Sequence, residues 1–172
     1  MQPSTSDDRN QPLNVNPGGW KDAGRYGASN TASEESQCIL YASCENPVTL
    51  HPAQVRELLA ENVVFNSPIL VRAIEGRDVI AAIFAQSSST RGSGTYTAEF
   101  KLDERTTFLR WVGTMDGHKI ESLEIIVDNE QGLIEERTIA LRPYPAVKLF
   151  RDSMYESLKD KLPPDVWDYP TQ

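Results

Sequence analysis

The feature that most constrains this chain is a series of alternating segments joined by short glycine turns over residues 95–142. In the first segment, polar residues alternate with Tyr96, Ala98, Phe100 and Leu102, which is typical of a half-buried strand. Three more strands are predicted at 106–114, 119–127 and 133–142. Two short turns, 115–117 and 128–132, each contain a glycine where positive φ is expected. Because short turns join antiparallel neighbours, the pattern predicts four antiparallel strands in one sheet.

Segments with the periodicity of helices lie before and after the predicted strands. A first helix is predicted near 52–61, with Pro52 at its start and Asn62 at its end. Short extended segments are predicted at 63–65 and 69–73. A second helix near 77–87 opens at Gly76 and is followed by a Ser/Thr/Gly loop, 87–94. A third helix is predicted near 145–159. The residues expected on the buried faces of the three helices are Val55, Leu58, Leu59, Val79, Ile80, Ile83, Phe84, Val147, Phe150 and Met154.

The chain therefore divides into a mostly flexible arm, 1–47, an α+β domain, 48–162, and a C-terminal tail, 163–172. Residues 1–36 of this arm are rich in Ser, Asn, Asp, Gly and Pro and have no apolar period, so this stretch cannot bury enough surface to offset the entropy lost on ordering. Trp20 and Tyr26 either dock onto the domain or a partner, or are aromatic residues in a flexible segment.

Charge and motifs exclude several classes of function. The net charge is −8, from 25 acidic and 17 basic residues, which disfavours nucleic acid and membrane surfaces as partners. The chain has no apolar run of the roughly 20 residues that span a bilayer and no secretory signal, so a cytoplasmic location is expected. Cys38 and Cys44 are then expected as free thiols, although their spacing allows a disulfide. Neither His51 nor His118 lies in a metal-binding pattern, and no metal or cofactor is expected.

Four segments carry a family resemblance. They are Phe65-Asn66-Ser67-Pro68, Ile74-Glu75-Gly76-Arg77, Ser122-Leu123-Glu124-Ile125-Ile126 with Asp128 and Gly132, and Arg142-Pro143. In this order and spacing, they resemble the SnoaL-like branch of the nuclear transport factor two-like superfamily. The resemblance implies a curved antiparallel sheet wrapped around helices as a cone with an internal apolar pocket. It also implies a hydrophobic small molecule as ligand, and a homodimer paired through the outer sheet face, which would carry Leu123 and Ile125.

Strand parity selects the candidate site. Ser122, Glu124 and Ile126 share one face of their strand, and the resemblance places the acidic residue inside the cone. A carboxyl group in an apolar pocket has a raised pKa and can act as acid or base, so Glu124 is the candidate catalytic residue. The candidate substrate-binding residues are Asn66, Tyr96, Arg110 and Ser122. In the other interpretation, Glu124 is a structural partner of an arginine such as Arg110 or Arg137. The aromatic residues expected to line or back the core are Tyr96, Phe100, Phe108 and Trp111.

The superfamily contains polyketide cyclases, ketosteroid isomerases and epoxide hydrolases as well as binding and dimerisation modules, so the fold does not decide the function. Ser67 stands where ketosteroid isomerases need an Asp base, which argues against their mechanism. Two hypotheses remain. One is a cofactor-free cyclase, isomerase or hydrolase that uses Glu124 on a polyketide- or terpenoid-like substrate. The other is a non-catalytic ligand-binding or dimerisation module.

Overall fold

A computed structural model of the protein describes residues 51–170. In that part of the chain the helices are α1 (Pro52–Arg56), α2 (Arg77–Thr90) and α3 (Tyr144–Leu158), followed by a 3-10 helix (Pro164–Val166). The strands are β1 (Leu59–Asn66), β2 (Ile74–Glu75), β3 (Gly94–Lys101), β4 (Thr106–Met115), β5 (His118–Asp128) and β6 (Ile134–Arg142). The Arg142–Pro143 peptide bond is cis.

The six strands form one curved sheet in the order β2-β1-β6-β5-β4-β3. The four strands from β3 to β6 pair antiparallel, as the turns predicted, and β2 pairs antiparallel with β1. The β1–β6 pair is parallel, so the sheet is mixed. Because α2 and the whole meander lie between β1 and β6 along the chain, this pair has the long connection that parallel strands require. The α+β fold class is confirmed.

The sheet has an inner face that packs on the helices and an outer face. On β4 and β5, the buried inner-face residues include Leu109, Trp111, Ile120 and Ile126. They join one core with Ile80 and Phe84 of α2, Ile134 of β6, and Phe150 and Met154 of α3. Leu123 and Ile125 lie on the outer face and are about two-fifths exposed, as the alternation in β5 predicted.

Phe100 is an exception to the alternation. The pairing of β3 with β4 shifts between Tyr96 and Ala98, so Tyr96 lies opposite Trp111 but Phe100 lies opposite Phe108. Such a bulge moves later residues to the other face. Phe100 is 46% exposed and stacks on Phe108, so the prediction that it backs the core was wrong.

The first helix is shorter than predicted. α1 ends at Arg56, and β1 starts at Leu59. The Leu58 carbonyl already accepts a hydrogen bond from the amide of Ile134, the first residue of β6. Pairing with a distant strand therefore overrides the helical period. Residues 69–73 form turns and bends instead of an extended segment, and α2 continues to Thr90, into the first half of the predicted loop.

The start of α2 is as the sequence predicted. Gly76 precedes the helix with φ of 101°, a conformation that favours glycine. Its amide donates a hydrogen bond to the Val63 carbonyl, which ties the helix start to β1.

The segment predicted as a C-terminal tail packs on the domain. Val166 and Trp167 are buried, and the Trp167 ring contacts Tyr155 edge-on. The Val71 amide donates to the Val166 carbonyl at 2.8 Å. Arg151 also donates to Asp168.

The predicted arm, with Trp20, Tyr26, Cys38 and Cys44, lies outside the described residues. Within residues 51–170, no helix is both long and apolar enough to cross a bilayer. In the same range, no three His, Cys, Asp or Glu side chains are grouped so that they could hold a metal ion.

Candidate functional site

Glu124 lies at the centre of the inner sheet face. Its β5 position is paired with Leu109 on one side and Ile139 on the other, and its side chain is completely buried. Ser122, two residues earlier on the same face, is also buried and donates its hydroxyl to Glu124 Oε1 at 2.7 Å. The sequence prediction that these two residues share the inner face is confirmed.

Arg137 is the main partner of Glu124. It lies on β6 opposite Ile126, one inner-face position away from Glu124 along β5. Its Nε donates to Glu124 Oε2 at 3.1 Å, and its Nη2 donates to the same oxygen. Its guanidinium also lies 4.7 Å from the centre of the Phe84 ring, within range of a cation–π contact. Arg137 therefore anchors the carboxylate between the sheet and α2.

Arg91 is the second cation. It directly follows α2, and its Nη1 lies 3.8 Å from Glu124 Oε1. Its guanidinium is 4.8 Å from the centre of the Trp111 ring. The Gly92 amide donates to the Thr114 carbonyl, and the Thr114 amide donates to the Ser93 carbonyl. These bonds hold the segment after Arg91 against the end of β4.

Two glycines make room for the Trp111 ring. A Cβ at Gly94 would lie 2.1 Å from Trp111 Cζ2, and one at Gly113 would lie 2.3 Å from Cη2. Real Cβ atoms do not approach so closely, so any larger residue would displace the indole. The position of the Trp111 ring beside Arg91 therefore depends on glycine at both positions.

Tyr96 joins this cluster from β3. Its side chain lies close enough to Glu124, Arg137 and Arg91 for their charges to act on its pKa. Burial raises the pKa of Tyr96, and the nearby Glu124 carboxylate raises it further. Tyr96 therefore stays a neutral hydroxyl at physiological pH, and it is one of the predicted residues that do lie at the site.

The predicted rise in the pKa of Glu124 was wrong. Burial does raise the pKa of this carboxyl, but the charges of Arg137 and Arg91, with the hydrogen bonds from Ser122 and Arg137, outweigh burial and lower it. The reciprocal effect raises the pKa of Arg137, against the opposing effect of its own burial. The interpretation that paired Glu124 with Arg137 is the one that the structure bears out.

Two predicted neighbours of Glu124 lie on the opposite face. Arg110 is on the outer face of β4, where its Nε donates to Glu121. Asn66 is at the end of β1, where its amide donates to Glu136 at 3.0 Å and to Thr138 at 2.9 Å. Arg110 lies opposite Leu123, and Asn66 lies opposite Thr138, whereas Glu124 lies opposite Leu109 and Ile139. Because side chains alternate between faces along each strand, both residues are separated from Glu124. Neither one contacts the inner cluster, which consists of Tyr96, Arg91, Ser122, Glu124 and Arg137.

Sequence reasoning missed Arg91. Parity can assign a strand residue to a face, but Arg91 lies just after a helix, where no period applies. Ser67, the position of the base in ketosteroid isomerases, accepts a hydrogen bond from the Ile69 amide at 3.3 Å and thus stabilises a turn.

A surface groove of about 430 Å³ lies between the start of β5 and the first turns of α3. It is lined by His118, Lys119, Pro143, Pro145, Ala146, Lys148 and Leu149. None of the predicted site residues lines it. The internal apolar pocket implied by the family resemblance stays a prediction.

Structural comparison identifies the fold. An uncharacterised protein with a cystatin-like fold from Silicibacter pomeroyi is 22% identical, with a TM-score of 0.65 over 73% of this chain and 86% of that one. A steroid delta-isomerase from Pseudomonas aeruginosa is 18% identical, with a TM-score of 0.60 over 63% and 80%. A de novo designed protein with a curved β-sheet is 12% identical, with a TM-score of 0.54 over 74% and 100%.

No protein-family model and no curated protein matches the sequence. The structural likenesses show that the chain has the nuclear transport factor two-like fold, as the four sequence segments predicted.

Proposed function

We propose that this protein is a non-catalytic binding module for a small molecule with an apolar body, and that Glu124 organises two arginines instead of moving protons. The observation that supports this proposal is the state of the Glu124 carboxylate. It is fully buried, accepts hydrogen bonds from Ser122 and Arg137, and lies 3.8 Å from Arg91.

These contacts make Glu124 a poor acid or base. A general base works best with a pKa near the operating pH and with an oxygen free to reach the substrate. The pKa of Glu124 is lowered, chiefly because two guanidinium charges overcome the effect of burial. Both of its oxygens already accept hydrogen bonds. A carboxylate in this state is suited to positioning cations.

A second candidate function is the cofactor-free enzyme on a polyketide- or terpenoid-like substrate. The structural likeness to a steroid delta-isomerase favours it. In this case Glu124 would have to leave Arg137 before accepting a proton, at the cost of an uncompensated buried charge. That requirement makes the enzyme the weaker candidate.

Screening of apolar compounds by thermal shift separates the two candidates. We expect some compounds to raise the melting temperature and to be recovered unchanged by mass spectrometry after incubation. Conversion of a bound compound by the wild type, with loss of conversion in Glu124→Gln, would establish the enzyme. A screen in which no apolar compound raises the melting temperature would contradict both candidates.

We also propose that the protein is a homodimer paired through the outer sheet face. Register places Phe100, Phe108 and Ile125 in one row across β3, β4 and β5. Leu123 lies in the next row, beside Arg110 and Ala140. Contiguous apolar residues of this kind are typical of a covered surface.

Light scattering at micromolar concentration tests the dimer. We expect a dimer mass for the wild type and a monomer mass for Leu123→Lys, because the lysine would place a charge within the apolar patch. Glu130→Lys, in the exposed turn between β5 and β6, is the matched control and should remain dimeric. A monomeric wild type would contradict the proposal.

A further inference from the structure

The inner cluster contains more positive charge than negative charge. Glu124 is the one carboxylate that pairs with it among residues 51–170, and it faces two guanidinium groups, those of Arg137 and Arg91. Tyr96 is neutral at physiological pH, because burial raises its pKa. One buried positive charge is therefore uncompensated in this part of the chain.

The surplus lies on Arg91. Arg137 uses both Nε and Nη2 on Glu124, whereas the guanidinium of Arg91 makes no hydrogen bond within the described residues and approaches Glu124 only at 3.8 Å. The Arg91 side chain is 15% exposed, so it lies at the accessible edge of the cluster, while that of Arg137 is 6% exposed. Arginine cannot shed its proton in a protein, and within residues 51–170 the charge of Arg91 meets only the Glu124 carboxylate that Arg137 already occupies, so an added anion would balance it.

The surroundings of Arg91 indicate which anion would fit. The Arg91 guanidinium lies 4.8 Å from the centre of the Trp111 ring, and the Arg137 guanidinium lies 4.7 Å from the centre of the Phe84 ring. A planar guanidinium matches a carboxylate with two parallel N–H···O bonds. A single surplus charge balances a monoanion, whereas a phosphate dianion would leave the cluster negative. The apolar body of the ligand follows from the proposed binding function, because Trp111 and Phe84 are themselves buried, at 4% and 7% exposed.

We propose that Arg91 binds the carboxylate of an apolar organic acid, with Glu124 and Arg137 holding the cluster in place. This inference rests on the proposed binding function and adds to it the chemical class of the ligand. Glu124 keeps Arg137 occupied, so the incoming carboxylate meets the guanidinium that donates no hydrogen bond within residues 51–170.

Matched acid and alcohol pairs test the proposal by titration calorimetry. The probes are octanoate with 1-octanol, and 2-naphthoate with 2-naphthylmethanol, because each pair keeps the apolar body and changes only the charge. We expect at least one acid to bind the wild type about tenfold more tightly than its alcohol, since charge-assisted hydrogen bonds are the strong ones.

Variants locate the preference for the acid. Arg91→Gln should bind the acid and its alcohol equally, and Arg91→Lys should restore part of the preference because it restores the charge. Arg110→Gln is the matched control, because Arg110 lies on the outer face, and it should keep the full preference. Circular dichroism of each variant confirms that it is folded.

Two outcomes would overturn the proposal separately from the binding function. If alcohols bind as tightly as acids, or if Arg91→Gln keeps the preference, then the carboxylate site is wrong while a binding module stands. If neither member of any pair binds, and no apolar compound raises the melting temperature in the thermal-shift screen, the proposed binding function is contradicted.

Discussion

Strands β4 to β6 take part in a cluster of one glutamate and two arginines on each face of the sheet. On the outer face, Glu121 accepts a hydrogen bond from Arg110 Nε and lies 3.5 Å from Arg142 Nε. On the inner face, Glu124 pairs with Arg137 and Arg91. The outer arginines are 44% and 72% exposed, while the inner ones are 6% and 15% exposed.

The two clusters have the same charges but not the same consequences. Water hydrates the surplus positive charge on the outer face, so the exposed ion pairs there contribute little to stability. The inner surplus, on Arg91, is largely shielded from water at 15% exposure, and in such surroundings an unpaired charge is costly and an anion is held more strongly than at the surface. Burial within the protomer, and not residue type, therefore makes one cluster a candidate binding site and leaves the other on the outer face.

Removal of each glutamate gives the largest expected contrast. Glu124→Ala leaves two buried guanidinium groups without their counterion, and we expect the free energy of unfolding to fall by about 3–5 kcal/mol. Glu121→Ala should change the unfolding midpoint little, because the outer arginines are hydrated. Urea denaturation of both variants measures the difference.

If Glu124→Ala does not fold, the Gln variants at both positions replace the Ala pair, because the amide preserves shape. Equal losses of stability at positions 121 and 124 would show that burial does not distinguish the two clusters.

The substitution Gly94→Ala, next to the Trp111 ring, gives the next largest expected loss of stability. The new methyl group of Gly94→Ala would meet the Trp111 ring at 2.1 Å, so the indole must move. Overpacking of this kind costs about 1–3 kcal/mol. Thermal unfolding together with tryptophan fluorescence measures the loss and the shift of the ring.

The control for this substitution is Thr95→Ala, at an exposed neighbouring position, which should stay within about 0.5 kcal/mol of the wild type. If Gly94→Ala is as stable as Thr95→Ala, the inner cluster does not rest on a rigid platform.

A fall in pH gives the smallest expected change in the free energy of unfolding. The pKa of Glu124 in the folded protein lies below its ordinary value of 4.5, because the charges of Arg137 and Arg91 overcome the effect of burial. Its contribution to stability is therefore complete above about pH 4.5 and is lost as the pH falls toward the folded-state pKa. Unfolding curves across this range should show a steeper loss for the wild type than for Glu124→Gln.

Salt separates the two faces in the same experiment. Hydrogen bonding to Arg110 lowers the pKa of Glu121 as well, but this exposed interaction is screened by salt. The part of the acid sensitivity that persists in high salt should belong to Glu124. If the curves of the wild type and Glu124→Gln coincide, Glu124 is not charged in the folded protein.

Much of the fold could be predicted from sequence because its signals are local. Period-2 alternation assigned Ser122 and Glu124 to one face of β5 and Leu123 and Ile125 to the other. Gly76 marked the start of α2 because positive φ favours glycine. Errors occurred where long-range pairing overrode the local pattern, as at Leu59, which starts a strand within a helical period.

The sequence by itself determined the four-strand meander and placed Ser122 and Glu124 on one face of β5, since turn chemistry and side-chain alternation depend only on neighbouring residues. The nuclear transport factor two-like fold and the inward direction of Glu124 were implied by the family resemblance, and the structure agrees with both. The tertiary structure decided which groups surround that carboxylate. Alternation assigns side chains to a face within one strand, but it does not say which residues of other elements they meet. The assembled fold brings Arg137 from β6 and Arg91 from the end of α2 to Glu124. Those two charges, brought together by contacts distant in sequence, lower the pKa that burial alone would raise.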